Sequence, residues 1–354
     1  MENQMKRPVQ ISVIMPAFNE EEVIESHVNQ VAEFLYRSLA PDQFFEIIVV
    51  NDGSTDSTGT VIDRLASERD YLIALHHARN MGRGRGLRTG FDRASGAYVF
   101  TLDADLSYSP EHILRMLPPL ETGEADIVLA SAYHPQGSVA NVPYKRALVS
   151  RLGNKLFSIS LGGQFKTLTC MVRGYRREVL KSLTLFSDGK DIHLEIVQKA
   201  LILGFKIVEV PADLKWRPAK RTSASKGMSA RAFRDMTYKH LFFNFLLRPS
   251  MLLWVPILFL ILIMVTLGVM TVIGYVHVLG QQPSDLGLLK YFFALRTHML
   301  AAKLTYMVIG LCLLLLFQFL TLLFVAKQNL HHYQELFSFL THIDQRLRRH
   351  EEES

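Results

Sequence analysis

The chain has 354 residues, 49% of them hydrophobic and 20% charged, with 39 Lys+Arg against 33 Asp+Glu. That length fits two domains, or one domain with an appendage. Collagen-like, disordered and coiled-coil architectures are excluded, since no periodic glycine, low-complexity run or sustained heptad is present. Two cysteines, Cys170 and Cys312, are too few for a disulfide framework or a cysteine zinc site. The first apolar run, residues 11–15, is too short for a signal peptide, so the N-terminus is expected in the cytosol.

From the N-terminus, short β-rich runs at 11–15, 46–50, 72–75, 98–102 and 126–130 alternate with helical patterns at 20–39, 57–69, 86–94 and 110–120. Such alternation predicts an α/β sheet built of βαβ units over the first ~210 residues. Polar clusters end several of the strands: Asn19-Glu20, Asn51-Asp52 and Asp103-Ala104-Asp105. Ligands of open α/β sheets bind beyond the carboxyl ends of the strands, so three clusters at one edge predict a site there.

Asp103 and Asp105 follow the apolar strand YVFTL. Two carboxylates spaced i, i+2 at a strand end can hold a hard cation and, through it, phosphate oxygens. The NDGSTD stretch at 51–56 reads either as a turn and helix cap or as a nucleobase site with Asp52 as acceptor. The RNMGRGRG stretch at 79–86 is a glycine-rich loop with three arginines entering a helix, which suits a diphosphate by backbone N–H groups and guanidinium forks. It lacks the ending of a Walker loop and is not placed as a Rossmann fingerprint. Asp188, Asp191, His193 and Glu195 cluster at a helix start. They read either as an acidic first turn with its cap or as groups touching a sugar or metal.

Four segments together, VIMPAFNEEE (13–22), VVNDGSTDST (49–58), ARNMGRGRGLRTGF (78–91) and TLDADLSYSPE (101–111), resemble family 2 glycosyltransferases of the GT-A fold. PYKRALVSRLGNKLF (143–157), LTCMVRGYRREVL (168–180) and GFKIVEVP (204–211) are similar to the polyisoprenyl-phosphate branch, which includes dolichol-phosphate mannose synthases. The resemblance implies a Rossmann-like mixed sheet flanked by helices. It implies that Pro16, Phe18, Glu20, Asp52, Arg79, Gly82, Arg83, Asp103 and Ala104 bind a nucleotide sugar, with Asp52 reading the base. Asp103 and Asp105 would hold Mg²⁺ or Mn²⁺ on the donor diphosphate, Asp105 being catalytic, and Arg173, Arg217 and Lys226 would face an acceptor phosphate. The chain departs from that pattern at Ser107, Ala132 and Thr167, where the branch often has Gln, Arg and Asp.

Toward the C-terminus no charged residue occurs from 249 to 284, and 251–276 and 304–326 are apolar runs long enough to cross a bilayer as helices. Residues 206–248 carry ten Lys+Arg against three Asp+Glu, which places the N-terminal region and both termini in the cytoplasm by the positive-inside rule. The expected organisation is a cytosolic GT-A domain (1–228), an interfacial amphipathic helix (229–248), a membrane domain with two spans (249–327) and a cytosolic amphipathic C-terminal helix (328–354). The basic, aromatic segment before the first span fits an anionic leaflet and not nucleic acid. The sequence leaves room for a homo-oligomer.

The function expected is inverting transfer of one hexose from a GDP- or UDP-linked sugar to a polyprenyl phosphate. Another lipid or polysaccharide acceptor, or a non-catalytic scaffold of the same fold, are the alternatives. A lipid phosphate is already anionic near neutral pH, its second pKa being about 6, so loss of a carboxylate at 167 is tolerable with that acceptor.

Overall fold

The computed structural model describes residues 9–160, 163–215, 249–283 and 287–353. The described residues fall into two compact units that divide near residues 240 and 333. In the first, the chain runs β1 (Val9–Ala17), α1 (Ile24–Ser38), β2 (Phe44–Asn51), α2 (Thr58–Glu68), β3 (Leu72–His76), α3 (Arg83–Arg93), β4 (Tyr98–Thr101), α4 (His112–Glu121) and β5 (Ile127–Ser131). It continues through β6 (Ser138–Ala140), α5 (Tyr144–Ser160), β7 (Arg173–Arg176), α6 (Arg177–Ser182), α7 (Ile192–Ile202), β8 (Ile207–Pro211) and β9 (Asp213–Lys215).

Seven strands form one sheet in the order β3-β2-β1-β4-β7-β5-β8. All neighbours are parallel except β7, which runs antiparallel to both β4 and β5. The sheet is therefore mixed and Rossmann-like. Because β1, β2, β4, β5 and β8 point the same way, their carboxyl ends share one edge, the edge where such sheets bind ligands.

Both faces of the sheet are buried, which is why its strands are apolar at successive positions. Along β1, Ile11, Val13 and Met15 pack with α1, α2 and α4 through Val28, Leu35, Leu65 and Met116. Ile14 points the other way, toward Leu87 of α3 and Ile196 of α7.

The second unit carries α8 (Pro249–Gly280), α9 (Leu289–Ala301) and the start of α10 (Lys303–Glu353). Leu253–Gly280 and Lys303–Asn329 each have a mean hydropathy of 2.8 and are long and apolar enough to cross a membrane. Leu253 and Ile257 near the start of α8 pack with Leu316, Phe319 and Leu323 late in the second span, so the two helices form an antiparallel hairpin. The structure differs from the sequence reading in one respect here. The C-terminal amphipathic stretch is not a separate helix but continues the second span without a break. The expected interfacial helix at 229–248 lies outside the described residues.

Candidate active site

The turns after β1 and β2 are stapled together. Asn19 stands at φ 56°, and its carboxamide oxygen accepts from the Thr55 N–H at 2.8 Å. The Glu20 N–H donates to Thr58 Oγ1 at 2.8 Å, and Glu21 accepts from the Ser57 N–H at 2.8 Å. The NDGSTD stretch thus performs the turn-and-cap role.

Asp52 lies beneath this layer, with its carboxylate bonded to protein groups. Its Oδ1 accepts from the Met81 N–H at 2.9 Å and from His77 Nδ1–H at 2.7 Å, and Oδ2 accepts from the Gly82 N–H at 2.9 Å. The side chain is 6% exposed. Three of its acceptor sites hold His77 and the glycine-rich loop, a structural duty the sequence reading did not give it. Gly53, at φ +68°, lets that loop come close: a Cβ there would sit 2.2 Å from the Arg79 carbonyl carbon.

The glycine-rich loop itself uses its N–H groups internally. Gly84 and Arg85 donate to the Asp188 carbonyl at 2.7 and 3.3 Å, and Gly86 donates to the Gly82 carbonyl. The backbone cradle expected for a diphosphate is therefore filled by protein, and what the loop presents outward is side chains. Arg79 and Arg83 are exposed, and Arg83 Nη1 reaches Asp103 Oδ1 at 3.4 Å.

Asp103 and Asp105 extend beyond β4 on a turn held from below by His27 of α1, whose Nδ1 meets the Ala104 carbonyl at 2.7 Å. The Ala104 methyl is buried in the core, so this residue's contribution is its backbone. Leu106 adopts φ 45°, and its N–H bonds the Asp103 carbonyl at 3.0 Å. Asp105 Oδ1 accepts from both the N–H and the hydroxyl of Ser107. Ser107, a departure from the family pattern, thus orients the carboxylate. Burial raises the Asp103 pKa against the pull of Arg83, with Asp105 adding to the rise. Burial also pushes Glu20 up to about 7, with the fields of Asp105, Asp56 and Asp103 adding to the shift and Arg83 opposing it. Pro16 and Phe18 stand half-buried at the same edge, Pro16 against Gly86.

Glu20, Asp103 and Asp105 therefore share a field that favours a bound cation. Among the described residues no group of three His, Cys, Asp or Glu side chains gathers to hold a metal. Two carboxylates with the remaining positions left to phosphate and water are nonetheless the usual Mg²⁺ arrangement at nucleotide sites, and the oxygen-only donors suit Mg²⁺ or Mn²⁺.

Arg173, expected to face an acceptor phosphate, is in the core. It is 0% exposed, and its guanidinium donates to the carbonyls of Cys170 (2.9 Å), His193 (2.8 Å) and Leu168 (2.6 Å). The charge is dispersed over three backbone dipoles, and the residue ties β7 to the start of α7. Arg217 and Lys226 lie outside the described residues. Glu195 accepts from the N–H groups of Phe186 and Ser187 and from Lys199, so it braces the loop before α7. His193 is buried, and neither ring nitrogen has a partner among the described residues. Burial, reinforced by Arg173, Arg83 and Lys190, holds its pKa well below the usual histidine range.

One feature of this edge escaped the sequence reading. Beyond β5 opens a cavity of ≈ 410 Å³ lined by Ala132, Tyr133, His134, Arg151, Lys155 and Lys166 among others. Among the described residues it carries three cations and no carboxylate. Arg151 and Lys155 lie one turn apart on α5. Lys166 is held by its N–H, which Glu209 accepts, and the neighbouring Thr167 is buried against the Ser131 hydroxyl at 2.8 Å. The KRALVSRLGNK pattern was the available signal.

The sequence profile of glycosyl transferase family 2 matches residues 12–184. Polyprenol monophosphomannose synthase of Mycolicibacterium smegmatis is 32% identical over 241 residues, 66% of this chain and 86% of that one. The chain belongs to glycosyl transferase family 2. Undecaprenyl-phosphate mannosyltransferase of Micrococcus luteus is 29% identical over 65% of this family 2 chain and 93% of that protein. Glycosyltransferase AglD of Haloferax volcanii is 33% identical over 59% of this chain, which spans only 33% of that longer protein. Among solved structures, glucosyl-3-phosphoglycerate synthase from Mycobacterium tuberculosis, in complex with Mn²⁺, UDP and phosphoglyceric acid, superposes with a TM-score of 0.50 at 23% identity. The match covers 66% of this chain and 78% of that one, a likeness of fold.

The Glu20 shift gives this glycosyltransferase a pH signature. Because the folded state raises the pKa from 4.5 to about 7, it holds a proton that the unfolded chain releases. Stability without metal is thus expected to fall as pH rises from about 4.5 to 7 and to level off above. Thermal unfolding in chelator across this range checks it. Glu20→Gln flattens the slope, and added Mg²⁺ or Mn²⁺ raises the melting temperature more at pH 8 than at pH 5.

Proposed function

We propose that this glycosyltransferase moves a single hexose, with inversion, from a nucleotide sugar, GDP- or UDP-linked, to a polyprenyl phosphate at the cytosolic membrane face. The observation that carries the acceptor assignment is the cation-lined cavity beyond β5. β4 and β5 are separated only by β7. At ~4.8 Å per strand step, the cavity mouth stands about 10 Å from the strand end bearing Asp103 and Asp105. That is a fitting separation for a phosphate nucleophile at one side of a hexose and a diphosphate at the other.

Each step follows from a named group. Arg83 and Arg79 would bind the donor diphosphate, and a divalent cation on Asp103 and Asp105 would neutralise charge building on the departing nucleotide. Arg151, Lys155 and Lys166 would align the acceptor phosphate, with Arg217 and Lys226 of the pre-membrane segment as further cations. No carboxylate among the described residues lines the acceptor cavity, and the Thr167 hydroxyl pairs with Ser131. A phosphate dianion needs no general base, whereas a sugar hydroxyl does. The relatives named for polyprenol and undecaprenyl-phosphate mannosyl transfer support the same acceptor class.

Purified protein offered a matrix of nucleotide sugars against lipid phosphates and lipid sugars, read by mass spectrometry, tests the reading. Transfer confined to hydroxyl acceptors, or absent throughout, overturns it. Replacing Arg151 and Lys155 together by Ala is expected to raise KM for lipid phosphate at least about tenfold, since each charge-assisted bond contributes about 1.5–3 kcal/mol. KM for the donor stays unchanged.

A further inference from the structure

We propose that α9, the short helix between the two spans, is an interfacial membrane helix. It would lie flat at the headgroup–acyl boundary of the leaflet at the hairpin's connecting end. This rests on the reading of α8 and α10 as membrane spans.

The polarity of α9 is inside out. The least exposed positions of α9 are Lys290, Ala294 and His298, spaced i, i+4, i+8, with Ala294 at 0% and His298 at 7% exposure. The outward face presents Leu288, Leu289, Phe292, Leu295, Met299 and Leu300, all exposed. A helix against water would show the reverse. An exposed apolar surface of this extent marks contact with another phase or partner. Continuity with two spans whose own surfaces are apolar and largely unburied identifies that phase as lipid. At 13 residues the helix is about 20 Å long, too short to cross.

Its contacts with the hairpin fix its depth. Tyr275 Oη reaches the Tyr291 carbonyl at 3.5 Å, and a Cβ on Gly274 would lie 2.4 Å from His298 Nε2. Both contacts fall within the last two turns of α8, so α9 packs against the end of that helix. Gly274 lies six residues before the end of α8, about 9 Å in. On the other side, His298 Nδ1 pairs with Tyr306 Oη at 3.0 Å, three residues into α10, about 5 Å in. Those depths match the roughly 5–10 Å to which interfacial helices sink. Tyr291, Phe292 and Phe293 supply the aromatic character of a membrane boundary, and Arg296, the one cation on the outward face, is long enough to snorkel to the headgroups.

Fluorescence quenching of the full chain in phosphatidylethanolamine–phosphatidylglycerol vesicles tests this. With Trp216 and Trp254 replaced by Phe, a reporter is introduced as Phe292→Trp and a span-centre control as Val265→Trp. Met299→Trp serves as a second reporter should the first variant fail to fold. The reporter is expected to lose most of its emission to lipids brominated near the headgroup and little to aqueous iodide. The control responds instead to bromine deep in the acyl chain. Quenching by iodide alone would show α9 in water, and shielding from both quenchers would show it covered by a second copy. Either result, with the control still lipid-quenched, overturns the proposal. A control that also ignores bromolipid defeats the membrane reading itself.

Discussion

Asp105→Asn is expected to lower turnover about 10³-fold, the scale of removing one preorganised group that meets developing charge. Asp105 stands at the carboxyl end of β4. Both Ser107 bonds fall on Oδ1, which leaves Oδ2 without a donor among the described residues and directed by a rigid turn. Asp103, by contrast, is paired with Arg83. The second carboxylate is therefore the one free to grip a cation, and the first balances the arginine as well. The isosteric change removes a charge from a loop and touches no core contact, so the melting temperature should move by no more than about 2 °C. Any movement should be upward above pH 7, because Asp105 is the largest charge raising Glu20. Chelator should arrest the wild-type enzyme to the same degree. Turnover within tenfold of wild type, in the variant or in excess chelator, would remove the cation from the mechanism.

β1 to β5 and the helices α1 to α4 between them are legible because each is a short apolar run or an amphipathic repeat, and those periods survive tertiary packing. β7 was not legible. Its sequence, Arg173-Gly174-Tyr175-Arg176, carries two arginines and a glycine, and only the buried surroundings make a strand of it. That error propagated, since an arginine read as a surface cation is in fact solvated by three carbonyls inside the sheet. α9 is illegible in the sequence for a related reason. Its apolar residues surround nearly the whole helix, so no amphipathic period stands out, and it is too short to register as a span. The carboxylates of the site were legible as types in a pattern, but their duties depend on which backbone N–H groups they meet. Sequence order does not reveal that the turn after β2 sits beneath residues 81 and 82.

Asp52 is where this difference has its largest consequence. If Asp52 read the nucleobase, Asp52→Ala would raise the donor KM and leave the fold alone. The structure predicts the opposite weighting. Truncation leaves the N–H groups of Met81 and Gly82 and the His77 ring without their acceptor in a part-buried site. Orphaned buried donors cost about 1–3 kcal/mol each, and a broken buried charge network about 3–5 kcal/mol in all. For a unit of this size, at about 2–4 °C per kcal/mol, the melting temperature should fall by roughly 10 °C. Asp52→Asn should recover only part of this, because its amide N–H₂ must face another donor at either oxygen position. The loop bearing Arg79 and Arg83 loosens with the clamp, so donor affinity falls too, as a consequence of the loop's release. Hydrogen exchange separates the two roles: protection at Met81, Gly82 and Gly84 should vanish in Asp52→Ala before donor is added. An unchanged melting temperature with exchange at these amides as slow as in the wild type would return Asp52 to the nucleobase.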